Sequence, residues 1–433
     1  MTERNVRRVA LSLLCRYEED DTFVNITVPR AARELPAADR ALLTALVYGT
    51  VERRITLDYY IGTLASSASG SLELHTRCAL RLGLYQLAFM DSIPDHAAVN
   101  ETVKLALGRG EASYLNGILR EFVRRGKSLP LPEYSRNPAR YISIKHSYPL
   151  ALVRRFISLF GEERAVAMLE QFNSRRPLAL KVNTLRCSVE SLAETLGARP
   201  SEYAPDCLLL DGAVSPTSLP GWEEGHFFVE GISSRLAVSA LGARSGERVL
   251  DACAAPGGKS FSAAIDMEGR GEVVSCELYE GRLGLISDGA RRLGIDIIRT
   301  VCRDSTEIEP EFVGAFDRVL CDVPCSGWGV LGAKPDLRYR CFESAERMPP
   351  LQSAILAASS RYVKPGGTLV YSTCTLNPDE NERVVEAFLR DNADFAPCDF
   401  SVGSLSSEGG ILTLTPEQHG VDGFFIAKLT RRA

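Results

Sequence analysis

Several features that would place the chain in a membrane or in a secreted class are missing from its sequence. The 433 residues contain no run of about 18 uncharged apolar residues of the kind that spans a bilayer. The N-terminus leads directly into a helical pattern instead of the apolar stretch of a signal peptide. We therefore expect a cytoplasmic protein without a membrane partner.

Metal-ligand spacing is also missing. The 12 cysteines include no Cys-x-x-Cys pair, and none of the five histidines lies at ligand spacing from a cysteine. We therefore predict no metal site. Cysteines scattered through such a chain are typical of reduced thiols, most of which act as small buried apolar side chains.

An excess of positive charge is absent as well. The formal net charge is −5, which argues against nonspecific coating of nucleic acid. Basic residues do cluster locally, as at Arg120, Arg124, Arg125 and Lys127, although such clusters are often only solvated helix faces. Any nucleic-acid binding would therefore depend on local patches, and the residues that form them stay open.

The hydrophobic pattern changes twice along the chain. Residues 4–127 show helical spacing almost throughout, and the stretch 129–137, which contains two prolines and is followed by a third at 138, is a linker candidate. The following segment combines strand-like stretches with an amphipathic helix predicted over 151–172. We predict three domains: an all-helical bundle at 1–138, a small α+β module at 139–238 and a larger α/β domain at 239–433.

Strands alternate with helices in the third predicted domain. Five strand-like stretches lie at 248–250, 272–276, 297–302, 316–321 and 368–372. This alternation predicts a parallel sheet with helices on both faces, and ligands of such sheets bind beyond the carboxyl ends of the strands. The candidate motifs of the chain follow directly after these strands.

A glycine-rich turn follows the first of these strands. It runs from Asp251 to Ser260 and opens a helix, so that backbone can approach a bound nucleoside closely, unless it is a plain turn. Glu277 ends the second strand, where a carboxylate can accept hydrogen bonds from a ribose diol. Asp304 follows the third strand, a suitable place to bind an adenine amino group. For both carboxylates the alternative is a solvated strand end.

The ligand favoured by this turn is S-adenosylmethionine. The chain has no Gly-x-x-x-x-Gly-Lys-Ser/Thr loop to hold nucleotide phosphates. The predicted cofactor-binding set is Cys253, Ala254, Ala255, Pro256, Gly257, Gly258, Lys259, Glu277, Arg282, Asp304 and Asp322.

Two cysteines follow the fourth and fifth strands. Cys325 lies within residues 322–327, and Cys374 lies within residues 372–375. Since the thiolate is the reactive form of cysteine, a cofactor turn followed by two thiols favours covalent group transfer over two inert core cysteines. We expect inert core thiols at four further positions: Cys253, Cys276, Cys302 and Cys321.

Together these motifs resemble the Nop/Sun family of RNA cytosine-5 methyltransferases. The resemblance is carried by DACAAPGGK at 251–259, DVPCSG at 322–327, KPD at 334–336 and YSTCT at 371–375. The flanking stretches KVNT at 181–184 and DGFF at 422–425 also match, and the first 130 residues are similar to the NusB-type RNA-binding helical domain. The resemblance covers nearly the whole chain.

The resemblance implies a fold, a cofactor and a partner. The fold is a Rossmann-like class I methyltransferase domain, preceded by a small RRM-like α+β module and a NusB-like bundle. The cofactor is S-adenosylmethionine, the partner is RNA with 16S rRNA as the main candidate, and we expect a monomer. Transfer RNA, large-subunit rRNA, or a noncatalytic antitermination-like RNA-binding role are the alternatives, and the methylated cytosine stays open.

The resemblance also implies roles for the catalytic residues. Carbon 5 of cytosine is too electron-poor to attack a methyl sulfonium until a nucleophile adds to carbon 6. By the family pattern Cys374 is that nucleophile, and Cys325 assists breakdown of the covalent RNA adduct. Asp322 either hydrogen-bonds the N3/N4 edge of the base or contacts the cofactor, and Lys259 supplies positive potential near the thiols or the base.

The sequence departs from the family pattern at a few positions. Val323 stands where alanine is usual, and Glu277 stands where aspartate is usual. Both changes leave the chemistry possible. The stretch at 229–234 replaces a more usual Gln-Asp pair, which weakens the prediction of RNA contacts there.

Overall fold

The chain forms two compact units in a computed structural model that describes residues 5–20, 22–65, 71–212, 214–340 and 345–433. One unit runs up to Asn173 and also includes Leu331–Arg340; we call it the helical unit. The other comprises Ser174–Val330 and the residues after Arg340; we call it the sheet unit. Within the described ranges, none of the helices combines the length and apolarity needed to cross a bilayer.

The helical unit is built from helices packed around one apolar core. Its described helices are α1 (Val6–Glu19), α2 (Val24–Ala32), α3 (Ala37–Glu52), α4 (Arg54–Ala65), α5 (Leu74–Phe89), α6 (Asp95–Val103), α7 (Arg109–Arg124), α8 (Pro138–His146), α9 (Leu150–Phe160) and α10 (Glu162–Phe172). Leu14, Leu46, Leu80 and Leu119 are buried together in the core. The helical bundle predicted from the spacing of apolar residues is therefore confirmed.

Helix α8 is held to α4 by buried hydrogen bonds. Ser147, directly after α8, accepts a hydrogen bond at Oγ from the backbone N–H of Ile55 at 3.1 Å. Thr56 Oγ1 donates to the carbonyl of Ile144 at 2.5 Å. Helices α8 to α10 thus lie in the helical unit, whereas the predicted boundaries at 138/139 and 238/239 stay predictions.

The amphipathic helix predicted over 151–172 is two helices. Gly161 separates α9 from α10 and has φ = +79°, a backbone conformation that favours glycine. The apolar period continues across the break, because both helices bury one face. A single-helix prediction was therefore wrong at this glycine.

A small antiparallel sheet opens the sheet unit. Its elements are β1 (Leu178–Val182), α11 (Val189–Leu196), β2 (Arg199–Pro200), β3 (Cys207–Leu210) and β4 (Phe227–Val229). The strand order is β2-β3-β1-β4. Leu180, Leu192, Leu208 and Phe227 form a core between α11 and the sheet. This arrangement confirms the predicted α+β module.

A larger sheet with helices on both faces follows. Its strands are β5 (Arg248–Asp251), β6 (Glu272–Glu277), β7 (Ile298–Cys302), β8 (Phe316–Asp322), β9 (Val363–Thr373), β10 (Phe395–Pro397), β13 (Ile411–Leu414) and β14 (Phe424–Arg431), whereas β11 (Ser401–Val402) and β12 (Leu405–Ser406) form a separate hairpin. The helices are α12 (Ile232–Leu241), α13 (Gly258–Asp266), α14 (Glu280–Leu293), α15 (Met348–Ser360), α16 (Glu382–Asp391) and α17 (Pro416–His419). Alternate strand residues enter two cores, as Val249 and Leu250 do.

The predicted parallel pairing holds for part of this sheet. Strands β5 to β9 pair in parallel in the order β7-β6-β5-β8-β9. The prediction of a parallel sheet was wrong at one edge, because β14 pairs antiparallel with β9, with Phe425 opposite Thr373. Strands β10 and β13 also pair antiparallel with β14, so the sheet is mixed. The α/β fold class is confirmed.

The strand order reverses direction at β5. The chain proceeds from β5 to β6 and β7 on one side and then crosses to β8 and β9 on the other. A reversal of this kind opens a crevice beyond the carboxyl ends of the two strands that flank it. The loops that follow β5 and β8 therefore border the same crevice.

Candidate active site

The glycine-rich turn links β5 to α13. Gly257 donates its N–H to the carbonyl of Ala254 at 2.7 Å and has φ = +115°. A Cβ atom at Gly257 would lie 2.5 Å from Cζ of Phe261. Both the backbone angle and this close approach require glycine at position 257. Because glycine has no side chain, the backbone of the turn stays accessible from the crevice.

Asp251 places an unpaired carboxylate oxygen at this turn. Its Oδ2 accepts a hydrogen bond from the Ser260 hydroxyl at 2.7 Å, whereas its buried Oδ1 has no hydrogen-bond partner among the described residues. Burial raises the pKa of Asp251 to about 6. The free oxygen is an acceptor for a donor group of a bound ligand. Asp251 is absent from the predicted set, although it is the first residue of the turn.

Glu277 and Arg282 meet next to the turn. The Arg282 guanidinium lies 3.2 Å from Oε2 of the buried Glu277 and donates to the Ala255 carbonyl at 3.0 Å. Oε1 of Glu277 also accepts from the backbone N–H of Tyr279 at 3.0 Å. The end of β6 is thereby tied to the glycine turn, and the residues present fit a nucleoside ligand.

Asp304 follows β7, the strand that pairs with β6. It is exposed, and its Oδ1 accepts hydrogen bonds from the backbone N–H and the hydroxyl of Thr306 at 2.9 and 2.7 Å. These two bonds lower the pKa of Asp304. Its neighbour Ser305 donates to the Ala252 carbonyl at 2.5 Å, so the loop after β7 reaches the turn through Ser305.

Lys259 and Asp322 form an ion pair between the turn and β8. Nζ of Lys259 lies 2.6 Å from Oδ2 of Asp322 and donates to the Ser234 hydroxyl at 3.2 Å. The Ser372 hydroxyl donates to the other Asp322 oxygen at 2.8 Å. Burial alone would lower the pKa of Lys259, but the nearby carboxylates, Asp322 first and then Glu230 and Asp251, together outweigh burial and raise it. Lys259 therefore stays positively charged.

The two predicted thiols are in contact. Sγ of Cys325 lies 2.9 Å from Sγ of Cys374, and both residues are half-buried. The pKa of Cys325 is raised well above that of a free thiol by its hydrogen bond to Cys374, by burial and by nearby negative charge. Cys325 therefore keeps its proton near neutral pH.

Backbone and side-chain contacts join the two thiol loops. The hydroxyls of Ser326 and Thr375 lie 2.8 Å apart, and Gly329 donates its N–H to the Cys374 carbonyl at 2.9 Å. A Cβ atom at Gly329 would lie 1.9 Å from the Gly423 carbonyl oxygen. The loop after β8 therefore packs too closely against Gly423, before β14, and against the Cys374 carbonyl for any side chain at Gly329.

The four cysteines that we expected to be inert core thiols differ in their exposure. Cys276 and Cys321 are buried, and burial raises the pKa of both, as expected for core thiols. Cys253 is half-buried in the turn, where burial again raises its pKa. The prediction was wrong for Cys302, which is exposed because β7 is an edge strand of the sheet.

Three family models match successive parts of the chain. The model described as 16S rRNA methyltransferase RsmB/F matches residues 238–430. The NusB family model matches residues 4–124. The model of the ferredoxin-like domain of RsmF/B-like methyltransferases matches residues 148–217.

Relatives that match over the whole length of the chain carry the name of a small-subunit rRNA methyltransferase. The probable ribosomal RNA small subunit methyltransferase B of Bacillus subtilis is 34% identical over 452 residues, covering 100% of both chains. The protein of the same name from Synechocystis is 35% identical and covers 99% of both. The crystal structure of the protein PH0851 superposes with a TM-score of 0.82 at 25% identity, over 99% of both chains.

Proposed function

Because the chain belongs to the 16S rRNA methyltransferase RsmB/F family, we propose that it methylates carbon 5 of a cytosine in 16S rRNA through a covalent cysteine adduct. Methylation of rRNA with S-adenosylmethionine as the methyl donor is the activity of this family. The contact between the Cys325 and Cys374 sulfurs at 2.9 Å is the observation that supports a covalent cysteine adduct and transfer to carbon 5. A pair of adjacent thiols beside a cofactor turn suits covalent attack and release.

The residues of the turn are those that would hold the cofactor. Bound S-adenosylmethionine supplies an electrophilic methyl group. The Asp251 Oδ1 atom, which has no hydrogen-bond partner among the described residues, offers an acceptor to a donor group of that ligand. Glu277 offers its carboxylate to a ribose diol, and Arg282 holds Glu277 against the Ala255 carbonyl. The role of Asp304 as an adenine contact stays part of the proposal.

Cys374 is the proposed nucleophile. Its thiolate adds to carbon 6 of the cytosine, a sulfur–carbon bond forms, and the displaced double-bond electrons make carbon 5 nucleophilic. A hydrogen bond donated by the Cys325 thiol, one of the two directions that the contact of the sulfurs at 2.9 Å permits, would stabilise the Cys374 thiolate. In the proposal, Cys325 is therefore protonated before the attack and Cys374 is not.

Cys325 is the proposed partner in release. After methylation, carbon 5 carries both a hydrogen and a methyl group. Loss of that proton restores the double bond between carbons 5 and 6 and expels Cys374 as a thiolate. Cys325 lies beside the leaving sulfur. Its thiol gives its own proton to the departing Cys374 sulfur, and the Cys325 thiolate that this leaves, a strong base because its pKa is raised, takes the proton from carbon 5.

Asp322 and Lys259 complete the proposed site. Their ion pair brings a carboxylate and an ammonium group to the end of β8, three residues before Cys325. Asp322 either bonds the N3/N4 edge of the base or contacts the cofactor, and Lys259 supplies positive potential. The target cytosine must leave its stack to reach the sulfurs, so single-stranded or distorted rRNA is the expected substrate.

The proposal is tested by methyl transfer from isotope-labelled S-adenosylmethionine to purified 16S rRNA, large-subunit rRNA and transfer RNA. Nucleoside mass spectrometry should find labelled 5-methylcytosine in 16S rRNA, and the Cys374→Ala variant should give none. Label on another atom would contradict the carbon-5 assignment, and label only in the other RNAs would change the substrate. Calorimetry that detects no S-adenosylmethionine binding would favour the noncatalytic alternative.

A further inference from the structure

A buried carboxylate holds together the two loops that carry the thiols. We propose that Glu380 is a positioning residue that sets the place of Cys325 relative to Cys374. This inference rests on the proposed function, since it assumes that the two sulfurs act in succession. Glu380 lies six residues after Cys374 and is absent from the predicted site set.

The Glu380 carboxylate is saturated with hydrogen bonds. Oε2 accepts from the backbone N–H of Ser326 at 2.8 Å and from Nε2 of Gln352 at 3.0 Å. Oε1 accepts from the Ser326 hydroxyl at 2.5 Å and from Nδ2 of Asn377 at 3.0 Å. Glu380 is 0% exposed, and a carboxylate has about four acceptor sites, so no site is left for a ligand.

These bonds converge on the residues that flank Cys325. Ser326 follows Cys325, and Gln352 also donates from Nε2 to the carbonyl of Pro324, which precedes Cys325, at 2.9 Å. The loop of Cys325 is therefore held on both sides of the thiol. Hydrogen bonds to a charged acceptor are the strong kind, which suits a rigid support.

The same residue is tied to the loop of Cys374. Asn377 lies three residues after Cys374 and donates to Oε1 of Glu380. The buried Tyr371 hydroxyl donates to the backbone carbonyl of Glu380 at 2.6 Å, which joins Glu380 to β9. One carboxylate thus spans both loops, with more bonds toward Cys325 than toward Cys374.

The removal of this charge should slow chemistry more than binding. In Glu380→Gln, an amide NH₂ replaces one oxygen and faces groups that are themselves donors. We expect kcat to fall about 10²-fold, as for misplacement of a reacting group by roughly 1 Å. The Michaelis constant for rRNA and the dissociation constant for S-adenosylmethionine should stay within about twofold. The protein–RNA adduct should accumulate, because Cys325 is displaced more than Cys374.

A donor–acceptor exchange provides the rescue. The double variant Glu380→Gln with Asn377→Asp gives the new amide a carboxylate acceptor and keeps one negative charge in the cluster. We expect it to recover kcat by about tenfold over Glu380→Gln. Glu386→Gln, at an exposed position of α16, the helix that begins two residues after Glu380, is the matched control and should match the unmodified protein.

The outcomes separate this inference from the proposed function. If Cys325→Ala accumulates the adduct but Glu380→Gln turns over normally or accumulates none, the positioning role is wrong and the two-thiol mechanism stands. If Cys325→Ala turns over normally, the mechanism itself fails. Should Glu380→Gln not fold, Ser326→Ala removes one bond to Glu380 together with the hydroxyl contact to Thr375. It should then lower kcat by roughly fivefold and retain adduct, and an unchanged kcat would overturn the inference.

Discussion

Lys259 Nζ lies 2.6 Å from Asp322 Oδ2, which joins the first turn of α13 to the carboxyl end of β8. The second Asp322 oxygen accepts from Ser372 on β9. The ion pair therefore couples the cofactor turn to both strands whose following loops carry the thiols. A shift of the turn would move the Asp322 carboxylate. The same ion pair therefore helps to position both the cofactor turn and the loops that carry the thiols.

Lys259→Met should lower stability and activity together. The variant leaves the Asp322 carboxylate without its cation, and we expect a loss of about 2 kcal/mol in the free energy of unfolding, because the pair is only partly exposed. Urea denaturation measures this loss. The double variant Lys259→Met with Asp322→Asn should regain stability but not methyl transfer.

The control for this prediction is a surface pair on the same sheet. Lys364 lies 2.7 Å from Asp317, with more exposed side chains. Lys364→Met should lower the free energy of unfolding by less than about 1 kcal/mol. An equal loss in both lysine variants would show that the Lys259–Asp322 pair stabilises the fold no more than an exposed surface pair does.

Glu277→Gln should weaken cofactor binding. A glutamine retains the shape of the side chain but loses the charge that pairs with Arg282 and strengthens bonds to a ribose diol. We expect the dissociation constant for S-adenosylmethionine, measured by calorimetry, to rise on the order of tenfold. Glu280→Gln, at an exposed position three residues away, should leave it unchanged. Equal affinities in the two variants would remove Glu277 from the cofactor site.

Much of this site was readable from local sequence. Most of the predicted residues lie at the end of a strand or in the loop after it, and the apolar pattern of these strands is evident. Parallel strands bring their carboxyl ends to one edge of the sheet. The contact of Cys325 with Cys374 and the pair of Lys259 with Asp322 agree with that expectation. The signal was local, because each motif combines its glycine, proline or thiol with the end of a strand.

Other features depend on contacts between distant residues and gave no such signal. Glu380 lies in a polar stretch that reads as a loop, and only its buried bonds to Ser326 and Gln352 identify it. The antiparallel pairing of β14 with β9 likewise depends on partners far apart in sequence. The exposure of Cys302 follows from the edge position of β7, which apolar patterning does not specify.

Gly329→Ala should disturb the Cys374 loop. The added Cβ would lie 1.9 Å from the Gly423 carbonyl oxygen and 2.9 Å from that of Cys374, so the backbone must move. We expect methyl transfer to fall about 10²-fold. Gly284→Ala, on α14 with nothing within 4 Å of the added atom, is the control. Initial rates of methyl transfer measure both, and a fully active Gly329→Ala would contradict the packing of the two loops.

Glu230→Gln should change how stability depends on pH. Glu230 is 4% exposed, and burial raises its pKa from 4.5 to about 7, although the charges of Lys259, Arg235 and Lys181 partly offset this effect. Because the pKa is higher in the folded protein, ionisation of Glu230 destabilises the fold as the pH rises from about 4.5 through 7. A glutamine avoids that loss.

The measurement is urea denaturation of both proteins at two pH values. At pH about 8 the Glu230→Gln variant should be more stable by about 3 kcal/mol, and below pH about 4.5 the difference should vanish. Ser262 can still donate its hydrogen bond to the amide oxygen. A difference that is the same at both pH values would show that Glu230 does not titrate as described.

The most direct test of the two-thiol account is denaturing electrophoresis of labelled 16S rRNA incubated with S-adenosylmethionine and the Cys325→Ala variant. The account predicts a protein–RNA band that survives denaturation, because Cys374 still attacks carbon 6 whereas release is impaired. The double variant Cys325→Ala with Cys374→Ala should give no such band. Normal turnover by Cys325→Ala without a trapped band, or a band that persists in the double variant, would contradict the account.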